Sequence, residues 1–206
     1  MEIVFTVMQF MQERFSGYGY VILAPGEVPS SAETNFGEEW HKRYFDLKFH
    51  TVDPVFHFTR QCRGRSSVRL LAADEMASPL YEEARCFGAD SNFISISVIG
   101  GSKMVFGGVN HDLNNHSAQE LHGYCHTAHQ TALLKRVDEL TDAQIDFLEM
   151  CEEGLLDKQI ACELGVTVSA IAQRKKAVCG KLGVAHFRAA LSLYSLRKWS
   201  GIIPLI

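Results

Sequence analysis

The sequence predicts an α+β protein in two parts. The first is an N-terminal α-β-α sandwich with a central antiparallel sheet. The second is a C-terminal all-α domain of four helices that contains a helix-turn-helix. Three observations carry this. Residues 140–184 hold three helical patterns joined by short glycine-containing turns. Two β-type stretches, Phe93–Ile99 and Lys103–Val109, flank Gly100-Gly101, a hairpin signal. Helical patterns precede and follow those strands, and helices laid on a sheet are a stable way to bury its faces. The domain limits read as 1–135 and 140–206, with 136–139 as the linker.

Taken in order, Val4, Met8, Met11 and Phe15 space a helix over residues 1–16, which Gly17 and Gly19 stop. Tyr18–Leu23 reads as a strand, and 24–36, rich in Pro, Gly and Ser, as a loop. Glu39–Phe49 carries Trp40, Tyr44 and Leu47 at helical spacing. Asp53-Pro54 opens another helix, with the aspartate before it as cap and the proline in its first turn. A loop over 60–68, a short strand at Val68–Leu71 and a helix over Glu75–Phe87 follow. After the hairpin, Ser117–Val137 is a long helix.

The chain has 206 residues, enough for two modest domains with real cores. Hydrophobic content of 47% with 21% charged residues excludes a disordered chain. The net charge is −4, so nucleic-acid binding must rest on a local patch rather than on the whole molecule. No run of 18 apolar residues is present, and the N-terminus lacks the pattern of a secretory leader. A cytoplasmic location with no membrane partner is therefore expected. The six cysteines (62, 86, 125, 151, 162 and 179) form no C-x-x-C pair and read as reduced, mostly buried thiols. No G-x-S-x-G, phosphate-binding loop or H-E-x-x-H motif occurs, so no enzyme is expected. His122, Cys125, His126 and His129 share one helical face, but one helix supplies few ligands and no second cluster accompanies it; no metal is expected.

The C-terminal stretch carries the chemistry. Thr141 is placed to cap a helix containing Ile145, Leu148 and Cys151, ended by Gly154. A second helix, 157–164, turns Ile160, Ala161 and Leu164 inward and ends at Gly165. A third opens at Thr167 or Ser169 and buries Ile171, Val178 and Leu182. Gln173, Arg174, Lys175 and Lys176 fall on its remaining surface, with Lys158 and Lys181 nearby. Such a helix fits the B-DNA major groove, where donors read base edges and cations neutralise phosphates. The plain alternative is a helical bundle with a solvated basic face. A last helix, His186–Trp199, keeps apolar residues that suit a symmetric partner surface.

The run LT…G…KQIA..LGV..SAI…KLGV resembles the LuxR-type helix-turn-helix. Departures fall at Ala143-Gln144, Ala170-Ile171, Arg174 and Ala177, where that pattern carries Arg-Glu, Thr-Val, His and Asn. The resemblance implies binding to double-stranded DNA at an inverted-repeat operator, by a homodimer. The contacts would come from Lys158, Thr167, Ser169, Gln173, Arg174, Lys175, Lys176 and Lys181. Likewise FGEEWHKRYFDLKFHTVDPV resembles the autoinducer-binding domain of quorum-sensing LuxR-type regulators, through Phe36, Trp40, Tyr44, Phe49, Asp53, Pro54 and Val55. It implies no bound cofactor but an N-acyl homoserine lactone as ligand. Trp40 would donate to the lactone carbonyl, Asp53 accept from the amide, and Tyr44 lie along the acyl chain. Phe36 stands where the family carries a phenol, and it cannot donate. Aromatic cover after DPV is absent from RQCRGRSSVRL, and only Gly88 survives of a later Gly-Gly-Pro pattern. Two readings stay open. Either the pocket takes a ligand, or Trp40, Tyr44 and Asp53 are structural. In the second case the chain is an orphan, ligand-independent regulator, or an anti-activator that forms heterodimers with a related full-length regulator.

Overall fold

In the computed structural model, residues 9–62 and 64–200 are described. Two compact units emerge: residues 1–98 with 103–129, and residues 99–102 with 130–206.

The first unit is built on a five-stranded antiparallel sheet, ordered β2-β1-β5-β4-β3. Its strands are β1 (Gly17–Ala24), β2 (Val28–Thr34), β3 (Ser67–Leu70), β4 (Phe93–Ile99) and β5 (Ser102–Val109). Helix α1 covers residues 9–14 of the helical stretch expected at the N-terminus; residues 1–8 of that expectation lie outside the described ones. Helices α2 (Glu38–Asp46), α3 (Pro54–Gln61) and α4 (Pro79–Arg85) follow, with 3-10 turns at Phe49–Thr51 and Glu75–Ala77. The long helix α5 (Asn115–Val137) gives its residues through His129 to this unit and the rest to the second. Asn114 starts it: its Oδ1 accepts from the backbone N–H groups of His116 and Ser117, at 2.9 and 3.0 Å.

Alternation along β4 divides two cores. Phe93 points to the face where Phe15 and Phe106 pack around it, 5.2 and 6.0 Å between ring centroids. Ser95 and Ser97 share that face and meet α5. Ile94 and Ile96 point the other way, into a cluster with Trp40, Leu80 and Tyr81.

Two sequence expectations change. Residues 24–36 are not all loop: residues 28–34 form β2, paired to β1 from Gly19↔Thr34 to Ala24↔Val28. Every β2 residue is exposed, so no apolar alternation marks it, and the pairing slips at Ile22/Leu23 opposite Pro29, which has no N–H to give. The helix expected over 75–87 is split. Pro79 forces Ser78 to extended geometry (φ −93°, ψ 158°), which separates a 3-10 turn from α4.

The second unit consists of the end of α5 with α6 (Asp142–Glu152), α7 (Asp157–Glu163), α8 (Val168–Leu182) and α9 (Phe187–Ser200). Its core gathers the stripe residues of each helix: Leu133 and Val137, Phe147 and Leu148, Ile160, Ile171, Val178 and Leu182, then Ala190 and Leu193. Gly154 (φ +88°) and Gly165 (φ +62°) take the left-handed conformation that ends α6 and α7. The caps differ from expectation. The Thr141 side chain makes no cap bond; instead Gln144 reaches back, its Oε1 accepting from the Thr141 N–H at 3.1 Å. Gln159 does the same for Leu156 at 2.7 Å. At α8 the hydroxyl of Thr167 does cap, accepting from Ala170 N–H at 3.2 Å. The cysteines are free thiols, but only Cys62 and Cys125 are buried, while Cys86 and Cys162 are exposed.

Candidate functional site

A cavity of about 980 Å³ opens in the first unit, between the sheet and helices α2, α3 and α4. Trp40, Tyr44, Asp53 and Phe36, the four residues singled out from sequence, all stand on its wall. Helix spacing puts Trp40 and Tyr44 on one face of α2, with ring centroids 5.6 Å apart. Phe36 packs under Gly17: a Cβ there would lie 2.6 Å from its ring. Val55, Leu80, Ala84, Ala89 and Val105 give the wall an apolar part, and Glu27, Glu33, His41 and Arg60 also border the space.

Asp53 links two helices. Its Oδ1 accepts from the Val55 N–H at 2.7 Å and caps α3. Its Oδ2 accepts the Tyr44 hydroxyl at 2.7 Å, tying α2 to α3. The structural pair in this site is therefore Tyr44–Asp53. Burial pushes the Asp53 pKa up against the lowering effect of those two bonds, and burial beside that carboxylate pushes the Tyr44 pKa up. The phenol thus stays a donor at all ordinary pH values.

Three polar groups of buried wall residues are uncommitted. Among the described residues the Trp40 indole N–H and the Tyr81 and Ser91 hydroxyls have no hydrogen-bond partner. Thr59, also on the wall, is satisfied internally, donating to Val55 O at 2.7 Å. A largely apolar space with a free indole N–H, two free hydroxyls and one shared carboxylate is equipped for a neutral amphipathic molecule. Sequence reasoning missed Ser91 and Gly107. Gly107 lies on the wall, where an added Cβ would sit 3.7 Å from Ser91 Oγ. No periodic signal marks either residue.

The imidazoles of α5 form a polar layer on the opposite sheet face. Ser95 Oγ lies 2.8 Å from His122 Nδ1, and Ser97 Oγ lies 2.9 Å from His126 Nδ1 and 3.0 Å from His129 Nδ1. One hydroxyl proton serves only one ring, so at least one of the last two rings carries its proton on Nδ1. The Cys125 thiol, buried beside them, is pushed up to about 12 by desolvation. Among the described residues no group of three or more His, Cys, Asp or Glu side chains is arranged to hold a metal ion.

In the second unit, the residues expected to meet DNA divide by environment. Ser169, Gln173 and Lys176 are exposed on α8, as is Lys158 on α7. Thr167 is exposed with its hydroxyl engaged in the cap. Arg174 is half-buried, and among the described residues neither it nor Lys158 or Lys176 has an ion-pair partner. Lys175 is engaged: its Nζ donates to Asp157 at 2.6 Å and lies 5.0 Å from the Phe187 ring centroid. Lys181 donates to the Glu139 carbonyl. Lys175 therefore ties α8 to α7, and Lys181 ties α8 to the segment between α5 and α6.

Comparison with known proteins gives four findings. The family model described as "Autoinducer binding domain" matches residues 4–132. The transcriptional activator protein RaiR of Rhizobium etli is 29% identical over 187 residues, covering 79% of this chain and 76% of that one. The transcriptional activator protein TraR of Agrobacterium vitis is 32% identical over 77 residues, 37% of this chain and only 31% of its own length. Among solved structures, Escherichia coli SdiA superposes with a TM-score of 0.48 at 17% identity, over 96% of this chain and 92% of that one.

Proposed function

Because the chain belongs to the autoinducer-binding domain family, we propose that it is a LuxR-type transcriptional regulator that holds a small amphipathic ligand and binds duplex DNA. Residues 1–135 are the sensor, and residues 140–206 the DNA-binding part. The observation that carries the ligand half is the cavity of about 980 Å³ with Trp40 and Ser91 uncommitted on its wall. A purely structural Trp–Tyr–Asp set needs only the Tyr44–Asp53 bond; it does not need a void or a free indole N–H beside it. An N-acyl homoserine lactone suits the wall. Trp40 donates to a carbonyl, Asp53 accepts the amide N–H on a free lone pair, and Tyr44 orients that carboxylate while its ring borders the acyl chain.

For the DNA half, support comes from α8. Gln173 and Lys176 are exposed and Arg174 carries no ion pair, so these side chains are free to meet base edges and phosphates of an inverted repeat bound by a homodimer. Ala172, Ala177 and Gly180 occupy other exposed positions of α8 and offer no hydrogen-bonding side chain. That bareness favours a second reading, an anti-activator that pairs with a full-length relative. No chemistry beyond binding is proposed, and the site of action is the cytoplasm.

The experiment is native mass spectrometry and thermal melting of the full chain with a lactone series of rising acyl length. The expected result is one ligand per subunit, a raised melting midpoint, and loss of both in Trp40→Phe. If no lactone shifts the midpoint, the ligand reading is wrong. A gel shift on a palindromic duplex then separates regulator from anti-activator: a homodimer that shifts the duplex rules out the pure blocker.

A further inference from the structure

Exposed positions of α8 recur every three to four residues and form one stripe: Val168, Ser169, Ala172, Gln173, Lys176 and Ala177. Ile171, Val178 and Leu182 turn the other way, into the core. Half of the outer stripe is apolar. Val168, at the first position of the helix, is 45% exposed and is the largest aliphatic residue of α8 outside the core. Local structure does not account for it, because a β-branched residue is a poor helix former and gains nothing from burial here. Ala172 lies one turn further along. Polar groups are scarce at this end of the helix. The Thr167 hydroxyl is held by the cap, accepting from the Ala170 N–H, which leaves Ser169 as the free hydroxyl of the first turn.

The stripe lies in a cationic stretch of chain. From residue 164 to residue 200 the sequence has seven Lys or Arg and no Asp or Glu, in a chain whose net charge is −4. Lys175, Arg197 and Lys198 are neutralised by Asp157, Asp138 and Glu152. On α7 and α8 together, three cations have no ion-pair partner among the described residues: Lys158, Arg174 and Lys176. They outnumber the unpaired acid of those two helices, Glu163 at the C-terminal end of α7. Phosphate neutralisation and an apolar stripe are thus offered by the same helix.

On the DNA-binding reading, we propose that α8 recognises thymine by its methyl group: Val168 and Ala172 meet the C5-methyl groups of two thymines in the major groove, while Lys158, Arg174 and Lys176 meet phosphates. In unmodified duplex DNA the thymine methyl is the apolar group that base edges present in that groove, so an aliphatic side chain on an inserted helix has one kind of target there. Val168 and Ala172 are about 6 Å apart along the axis, at roughly 1.5 Å per residue. That separation spans about two base steps of roughly 3.4 Å, so each half-site should carry two thymines within about two steps of each other. A helix face short of hydrogen-bonding side chains is, on this account, suited to methyl groups rather than empty.

The test begins by selecting duplexes from a random palindromic library with the full chain. The selected half-sites should carry the thymine pair. Each thymine is then replaced by deoxyuridine, which removes the methyl group alone. Wild type should lose about fourfold in affinity per replaced thymine, the scale of one buried methyl. Val168→Ser should weaken binding to the thymine duplex and become indifferent to deoxyuridine at one of the two positions. Ala172→Ser should do so at the other. Lys176→Gln is the control: it should weaken both duplexes alike and keep the deoxyuridine penalty. All three positions are exposed, and far-ultraviolet circular dichroism checks that each variant keeps its helix content. Selected sites without the thymine pair overturn the proposal. So does a wild type that binds both duplexes equally, or a Val168→Ser variant that keeps the full penalty at every thymine. A changed subunit count of Val168→Ser in light scattering assigns the residue to a protein partner and overturns it as well. A library that yields no duplex removes the DNA-binding reading and methyl recognition with it; duplexes that ignore deoxyuridine remove methyl recognition alone.

Discussion

In the second unit the apolar side chains close on one another; in the first, beside a packed core, one group of them lines a space. Phe147, Leu148, Ile160, Ile171, Val178 and Leu182 are buried to 1% exposure or less and pack in one cluster. Trp40, Tyr44, Phe36 and Val55 are as apolar in composition, yet they border a cavity of about 980 Å³. A unit that keeps such a space gives up packing that would otherwise stabilise it, whereas a unit closed at its centre does not. The contrast predicts that equal truncations have unequal effects.

The largest effect is expected for Ile171→Ala. Its side chain is fully buried in the second core, and truncation removes methylene burial and leaves a hole that neighbours fill only partly. The loss should be about 2–5 kcal/mol, read by urea denaturation of the full chain. Val55→Ala, on the cavity wall, should cost less than half as much, because one side of Val55 already faces open space. Equal losses at the two sites would mean that the cavity behaves as packed core.

Next in size is Tyr44→Phe. The change keeps the ring and removes the donor from Asp53 Oδ2, leaving a desolvated carboxylate one partner short. A loss of about 1–3 kcal/mol at pH 7 follows from the cost of a buried group without its bond. Lowering the pH should restore part of it. The pKa of Asp53 is already raised by burial, and losing the phenol raises it further. A raised folded pKa means that the proton favours the folded state, so stability is fullest at acid pH and falls as pH rises through that pKa. If Asn at position 53 and Phe at position 44 prove exactly additive in a double-mutant cycle, the hydrogen bond between the two positions has no energetic role.

The two units also differed in how much the sequence disclosed. In the second, each helix carries its own start, stripe and stop: Gln144 and Gln159 reach back to their caps, and Gly154 and Gly165 release the chain. Local signals therefore sufficed to place α6, α7 and α8. What they missed was Gln144, whose side chain returns to the Thr141 N–H. In the first unit, β2 left no periodic trace because both its faces are exposed, and pairing with β1 alone decides it. The cavity wall was legible only where residues repeat a family pattern. Ser91 and Gly107 meet across the β4–β5 hairpin, and although the hairpin was legible, neither residue type marks which sheet face the cavity would occupy.

A smaller effect separates two neighbours on α8. Lys175→Met breaks the Asp157 pair and the stacking on Phe187, so it should cost about 1 kcal/mol of stability. Arg174→Ala breaks no ion pair among the described residues and should leave stability within about 0.5 kcal/mol. Under the proposed DNA reading, Arg174→Ala should lower the slope of log affinity against log salt by about one, and Lys175→Met by much less. Matching slopes for the two variants would show that the inward lysine and the unpaired arginine meet phosphate alike.

The smallest effect concerns the imidazole layer on α5, and it tests whether the hollow unit responds to acid alone. His122 is partly buried against Ser95, and desolvation, aided by the neighbouring His126, lowers its pKa from the ordinary 6.5. Below that ordinary value the unfolded chain takes up a proton that the folded one resists. Stability is then complete above it and is lost as the pH falls through the lowered pKa. His122→Gln keeps a polar group beside Ser95 but cannot titrate. The fall in melting midpoint from pH 7.5 to pH 5 should shrink, by less than about 2 °C because the ring is still half-exposed. The two tryptophans report on the units separately, Trp40 buried in the first and Trp199 exposed in the second. The change should appear in the Trp40 signal, which can be isolated in a Trp199→Phe background. A shift confined to Trp199 would place the acid response in the closed helical core instead of the sheet that surrounds the cavity.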